Sequence, residues 1–216
     1  MSSAETAPEE ITATPAPPGF LDAVYGVIFL PAVTFRTLAQ HRPAVWRSLL
    51  MITLTCLIQS TISILRSAGT GKLASHTGLT VVIGLTGVAV GIAAGFFGAA
   101  ALHLFAELFG GRGSAVMLFS LVGMCQVPLL LTGVAALIPQ GLIGDLATFG
   151  LGLWATALLI IAVRESEGLS TGRAIAAYFT PVVVFVVAAL LFVFTLGYVA
   201  FRFLGNLPGF DSFMPT

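Results

Sequence analysis

Five apolar runs, Ser48–Leu65, Thr77–Ala106, Ser114–Gly144, Leu146–Val163 and Ala174–Phe201, contain no Asp, Glu, Lys or Arg. A helix rises about 1.5 Å per residue, so about 20 apolar residues cross the hydrocarbon core of a bilayer. Each run meets or approaches that length. A water-soluble core cannot hide so much uninterrupted apolar surface, since roughly a quarter of an ordinary soluble domain is charged. Here 57% of residues are hydrophobic and only 8% are charged, and the mean hydropathy is +1.05. The fold class that follows is all-α: a multi-pass membrane helical bundle of about five transmembrane helices.

An amphipathic segment precedes the first span. Within Phe20–Gln40, Phe20, Val24, Val27 and Ile28 share one helical face, with Asp22 and Tyr25 off it. Pro31 lacks an N–H and clashes with the preceding turn, so it divides any helix here. Phe35 and Leu38 then continue the apolar stripe beside Arg36. Two short helices lying in the membrane interface are expected; the alternative is a sixth, broken span, which would be short because only Ala23–Arg36 is apolar enough. The domain organisation reads as an acidic, Pro-rich disordered tail (1–19), interfacial helices (20–41), the five-helix bundle (42–205) and a short C-terminal tail (206–216). The first 19 residues lack a basic n-region and an apolar h-region, so no cleaved signal is expected.

Prolines and arginines shape the spans. Pro128 falls mid-way along the third span, where a kink is expected, and Pro181 near the start of the fifth. The second span is long enough that it must tilt or protrude. Arg47, near the start of the first, can snorkel to the headgroups. Basic residues near span ends favour the cytoplasmic side. With the N-terminus inside, Arg36, Arg42, Arg47, Arg112, Arg164 and Arg173 are cytoplasmic, against Arg66, Lys72 and Arg202 outside. The expectation is a cytoplasmic N-terminus and a periplasmic C-terminus. The preference for Arg over Lys, with abundant Ala, Gly and Val, points to a GC-rich bacterial genome and hence to a bacterial inner membrane.

Few residues in the spans carry chemistry. Gly87, Gly91, Gly95 and Ala99 recur every four residues along the second span, a row that lets another helix approach closely. Its partner is a helix of the same chain or of another protomer. His103 and Glu107 continue the row at i and i+4, where side chains touch. An ionisable pair in a span is a functional candidate, as a proton relay or part of a metal site. A metal site needs three or four ligands, and pairing of Glu107 with Arg112 or a neighbouring arginine is the plainer reading. The Arg164–Arg173 loop, with Arg164, Glu165, Glu167 and Arg173, is the densest charged patch. Gly168 suits the end of the fourth span, and Ser170 or Thr171 the cap of the fifth; partner binding is the functional alternative.

Several function classes find no support. Nine basic residues balance nine acidic ones, so no nucleic-acid partner is expected. No phosphate-binding Gly-rich loop, HExxH or GxSxG motif occurs. Asp145 stands alone at a helix boundary, so no paired-aspartate protease is indicated. Cys56 and Cys125 lie inside apolar runs and read as buried thiols rather than a disulfide framework. No catalytic residue, cofactor or metal is expected.

Three stretches carry a resemblance: Phe29-Leu30-Pro31 with Thr34-Phe35-Arg36; Leu108-Phe109-Gly110-Gly111-Arg112-Gly113-Ser114 leading to Gln126-Val127-Pro128; and Leu169-Ser170-Thr171-Gly172-Arg173-Ala174-Ile175-Ala176. In this order, over residues 20 to 203, the chain resembles bacterial members of the Yip1-domain family. The resemblance implies a five-helix bundle with a cytoplasmic N-terminus and a short C-terminus on the far side. Eukaryotic relatives act in membrane traffic, bind Rab-type GTPases and carry an Asp-Leu-Tyr-Gly-Pro motif before the bundle. This chain has Asp22-Ala23-Val24-Tyr25-Gly26 there, a departure that leaves Rab binding without its motif.

The expected function is therefore that of a non-enzymatic scaffold or membrane-organising subunit. Its partners would be membrane lipids, other membrane proteins or further copies of itself. The alternative is a small transporter or channel subunit using His103 and Glu107. An intramembrane enzyme is the remaining class, and no pair of reactive residues shares a site for it.

Overall fold

Pro31 separates two short helices, α1 (Phe20–Phe29) and α2 (Pro31–Ala39). It takes the first position of α2, where a missing N–H costs no helical hydrogen bond. The structure, a computed structural model, describes residues 18–69, 77–135 and 141–205. Most of the expected N-terminal tail, the tail 206–216, Lys72 and Pro139 lie outside the described residues.

Five stretches are long and apolar enough to cross a membrane. They belong to α3 (Val45–Gly69), α4 (Thr77–Leu108), the pair α5 (Ala115–Val122) and α6 (Val127–Ala135), α7 (Leu142–Glu167) and α8 (Thr171–Gly205). The protein is an all-α, multi-pass membrane bundle, and no strand occurs among the described residues. Helices suit this composition because hydrocarbon offers no partner for backbone N–H and C=O groups, and a helix satisfies them internally.

The third span breaks earlier than its proline. A 3-10 turn, Met124–Gln126, joins α5 to α6 ahead of Pro128. Pro128 has no N–H to give to the carbonyl four residues back, Met124, and the N–H of Val127 bonds that oxygen instead. The break sits where the span presses on α3. A Cβ on Gly123 would lie 2.2 Å from the Cα of Ser48. The Ser48 hydroxyl stands 2.7 Å from the carbonyl oxygens of both Phe119 and Ser120.

The fourth span runs past the end of its charge-free stretch at Val163, to the Gly168 expected to close it. It takes in Arg164–Glu167, and the connection to α8 shrinks to Gly168–Ser170. Gly168 ends α7 in a left-handed conformation (φ 66°). There the N–H of Leu169 turns back to the carbonyl of Arg164 at 3.1 Å.

Burial is uneven. Ala23, Val27, Phe35 and Leu38 of α1 and α2 pack with Met51, Leu121, Met124 and Leu158 of the spans. Ile52, Ala99, Leu102, Leu118, Val163, Leu169 and Ala174 form a second cluster. The inner faces of α1 and α2 thus seat on the bundle, while Leu21, Tyr25, Phe29, Leu30 and Val33 remain exposed on their outer side. Beyond Tyr178, α8 has no buried residue among its described side chains.

Candidate functional site

The polar side chains that sequence singled out gather where α4 passes into α5 and α7 into α8. Glu167, the last residue of α7, has a side chain with 0% exposure. Its Oε1 lies 2.8 Å from His103 Nδ1, and its Oε2 accepts from the backbone N–H of Gly113 at 2.9 Å. Its own carbonyl accepts from the N–H of Arg112 at 3.1 Å. One acidic residue therefore binds α4 and the whole turn between the second and third spans. A buried carboxylate costs much free energy unless it is hydrogen-bonded on both oxygens, as this one is.

Glycines make the turn possible. Gly110 has φ 91°, a conformation open to glycine and strained for other residues. A Cβ on Gly111 would approach the Ala106 carbonyl oxygen to 2.9 Å and Glu167 Oε2 to 3.0 Å. One on Gly113 would meet the Ser166 carbonyl oxygen at 2.4 Å. The Gly-Gly-Arg-Gly stretch is thus a cradle shaped around the end of α7. At its far side Ser114 caps α5, its hydroxyl accepting from Met117 N at 3.2 Å.

His103 and Glu107 are neighbours as their spacing implies, with Nε2 and Oε1 3.4 Å apart. The side chain that Glu107 meets is therefore His103 rather than Arg112. The decisive contact was missed: sequence reasoning found no second carboxylate for His103, yet Glu167 supplies one. A signal existed, since Glu167 lies four residues after Val163 and so falls on the same core-facing stripe of α7.

Glu165 holds a second junction. Arg36 of α2 donates from Nε to Oε2 at 2.9 Å, and Arg164 donates from Nε to Oε1 at 2.9 Å. Through this bond and the charge behind it, Glu165 lifts the Arg36 guanidinium above its ordinary value. Arg164 also reaches the Thr171 hydroxyl at 3.2 Å, tying α7 to the first turn of α8. Arg47 turns back to the Pro18 carbonyl at 2.7 Å, so its snorkelling is directed onto the chain itself.

Most of the charged Arg164–Arg173 loop, for which partner binding is the functional alternative, is engaged within the bundle. Glu167 is inaccessible, and Arg164 and Glu165 are half-buried and engaged within the bundle. Arg112 and Arg173 are exposed, and Arg173 stands beside Gly110, a guanidinium nitrogen 3.8 Å from where its Cβ would be.

The row Gly87, Gly91, Gly95 and Ala99 meets a row of the same spacing on α3. Cβ atoms on these glycines would face Ser60 at 3.8 Å, Cys56 at 2.5 Å and Ile52 at 2.9 Å in turn. Ala99 is fully buried. Close approach along i+4 ridges is the physical use of small residues in lipid, and here the partner is a helix of the same chain.

As chemistry, this end of the bundle is a set of latches: two carboxylates, each bound from two sides, fasten α2, α4 and the turn before α5 to the end of α7, and Arg164 ties the first turn of α8 there. Among the described residues no group of three His, Cys, Asp or Glu side chains is arranged to hold a metal ion. Neither a curated protein nor a solved structure matches the chain. The Yip1 domain model does match, over residues 25–208. That span runs from α1 past the end of α8 and includes both latches, so the chain belongs to the Yip1 domain family.

Proposed function

We propose that this protein is a non-enzymatic, membrane-organising subunit that binds other membrane proteins or further copies of itself through helix packing. The observation that carries the reading is α8. From Val182 to Phe201 it carries no charged residue, and its large side chains stand away from its own bundle, with Phe185 73% and Phe194 74% exposed. Lipid alone can cover such a helix, and so can the helices of a partner. The opposite end of the bundle supplies rigidity, where the carboxylates of Glu165 and Glu167 fix α2, α4 and the turn before α5 to α7, and Arg164 ties α8 to it.

The reading includes an orientation: N-terminus in the cytoplasm, C-terminus in the periplasm, in a bacterial inner membrane. Its support is the clustering of Arg36, Arg112, Arg164 and Arg173 around these two junctions, which puts most basic residues at one end of the bundle. Transport through His103 and Glu107 is the alternative. It draws little from the geometry, because His103 and Glu167 are committed to each other and to the backbone of Gly113.

The test is purification of the full chain in a mild detergent, with photocrosslinkers placed along Val182–Phe203. Crosslinks to a second copy or to another membrane protein are expected. A strictly monomeric particle that crosslinks only to lipid would overturn the proposal. Reconstituted Glu107→Gln should leave solute flux unchanged; a lost flux would favour the transport alternative.

A further inference from the structure

We propose that the interrupted third span borders a binding site for a neutral, membrane-soluble ligand whose head presents a carbonyl oxygen. A cavity of about 250 Å³ lies between this span, α7 and α8. Its walls include Val122, Cys125 and Leu159, together with three hydrogen-bonding side chains from three different helical segments: Gln126, Thr156 and Tyr178. No hydrogen bond within the described residues engages the side chain of any of these three. Thr148, on the same helix as Thr156, instead bonds the carbonyl four residues back at 2.9 Å.

The depth of these groups makes their lack of partners informative. Tyr178 lies five residues after Arg173 in α8 and Thr156 eight residues before Arg164 in α7, so they stand about 7 Å and about 12 Å along their helices from the nearest arginines at 1.5 Å per residue. At such depth there is little bulk water to satisfy a carboxamide or hydroxyl. Irregular backbone is also tolerated there only where it is buried in protein or lines a cavity. Gln126 is the last residue of the 3-10 turn, and that turn is one wall of this cavity.

Gln126 offers two N–H bonds and Thr156 and Tyr178 one O–H each, and the oxygens of all three also accept. The four donor hydrogens, converging from three helical segments, suit an acceptor oxygen such as a carbonyl. None of the lining residues is charged, so an anionic phosphate would enter without a counter-charge, at a prohibitive desolvation cost. The size fits a headgroup, with the ligand's apolar body lying along the exposed faces of α7 and α8. An ester carbonyl of a neutral glycerolipid and a quinone carbonyl share this chemistry.

The test uses the purified full chain in maltoside detergent, with dioctanoylglycerol and a decyl-substituted benzoquinone as probes and dioctanoyl phosphatidic acid as control. Binding is read by native mass spectrometry and by the shift in melting temperature. At least one neutral probe should bind and stabilise the protein, and which one binds separates the two sources. Phosphatidic acid should not compete. Gln126→Leu should weaken binding about tenfold, the loss of a hydrogen bond to a desolvated group. Tyr178→Phe keeps the ring, which packs edge-on against Phe179 at 5.0 Å, and removes only the hydroxyl. It should weaken binding severalfold and keeps the test open if Gln126→Leu does not fold. Failure of both neutral probes, equal competition by phosphatidic acid, or unchanged affinity in Tyr178→Phe would overturn the proposal; a cavity that holds only water gives the first of these results.

Discussion

His103 Nδ1 lies 2.8 Å from Glu167 Oε1, so the end of the second span is fastened to the end of the fourth by residues 64 positions apart. The other oxygen of the same carboxylate holds the N–H of Gly113 at 2.9 Å. Removing the carboxylate leaves a part-buried ring nitrogen and a backbone N–H without this partner.

Glu167→Ala should therefore lower stability by about 1–3 kcal/mol for each polar group left unpaired. Glu167→Gln keeps an acceptor oxygen for Gly113 and should cost less. Thermal unfolding in detergent measures both. Equal melting temperatures for Glu167→Ala and the unsubstituted protein would show that the latch contributes nothing.

Gly123→Ala should destabilise the bundle by about 1–3 kcal/mol or more, the usual cost of overpacking. Its Cβ meets Ser48 Cα at 2.2 Å, a backbone atom that cannot rotate away. Gly98→Ala is the matched control, because nothing lies within 4 Å of its Cβ. It should be neutral, or stabilising by up to about 1 kcal/mol through helix propensity. Melting curves of the two variants side by side check the contrast.

Arg36→Ala should cost less than about 1 kcal/mol. Its side chain is 64% exposed, and exposed ion pairs contribute little. Glu165 retains Arg164 in that variant. Glu165→Ala releases both arginines and should cost more. A double-mutant cycle between positions 36 and 165 isolates the pair, and a coupling above about 2 kcal/mol would contradict the expectation for an exposed partner.

Single cysteines report the orientation. Leu142→Cys, at an exposed position at the start of α7, should react with a membrane-impermeant maleimide in intact cells. Arg42→Cys should react only after the membrane is opened. The reverse pattern would place the N-terminus outside.

Much of the architecture was legible along the chain. Pro31 divides α1 from α2 where the sequence places the division, because a missing N–H and a fixed φ act within one turn. Gly168 ends α7 for a similarly local reason. The third span was harder to read. Pro128 announces a break, but its position at Met124–Gln126 depends on the contact of Gly123 with Ser48, which no local rule contains. The Gly-Gly-Arg-Gly turn is a cradle for Glu167, whose charge masked its place on the core face of α7.

The sequence by itself determined that this chain lives in a bilayer and crosses it five times, because insertion responds to the apolar content of each segment taken alone. Only the tertiary structure decided which polar groups meet: Glu167 with His103 and Gly113, Glu165 with Arg36, Gln126 with Thr156 and Tyr178 around one cavity. Such meetings depend on where helices cross, and crossing is fixed by close packing between segments far apart in the chain.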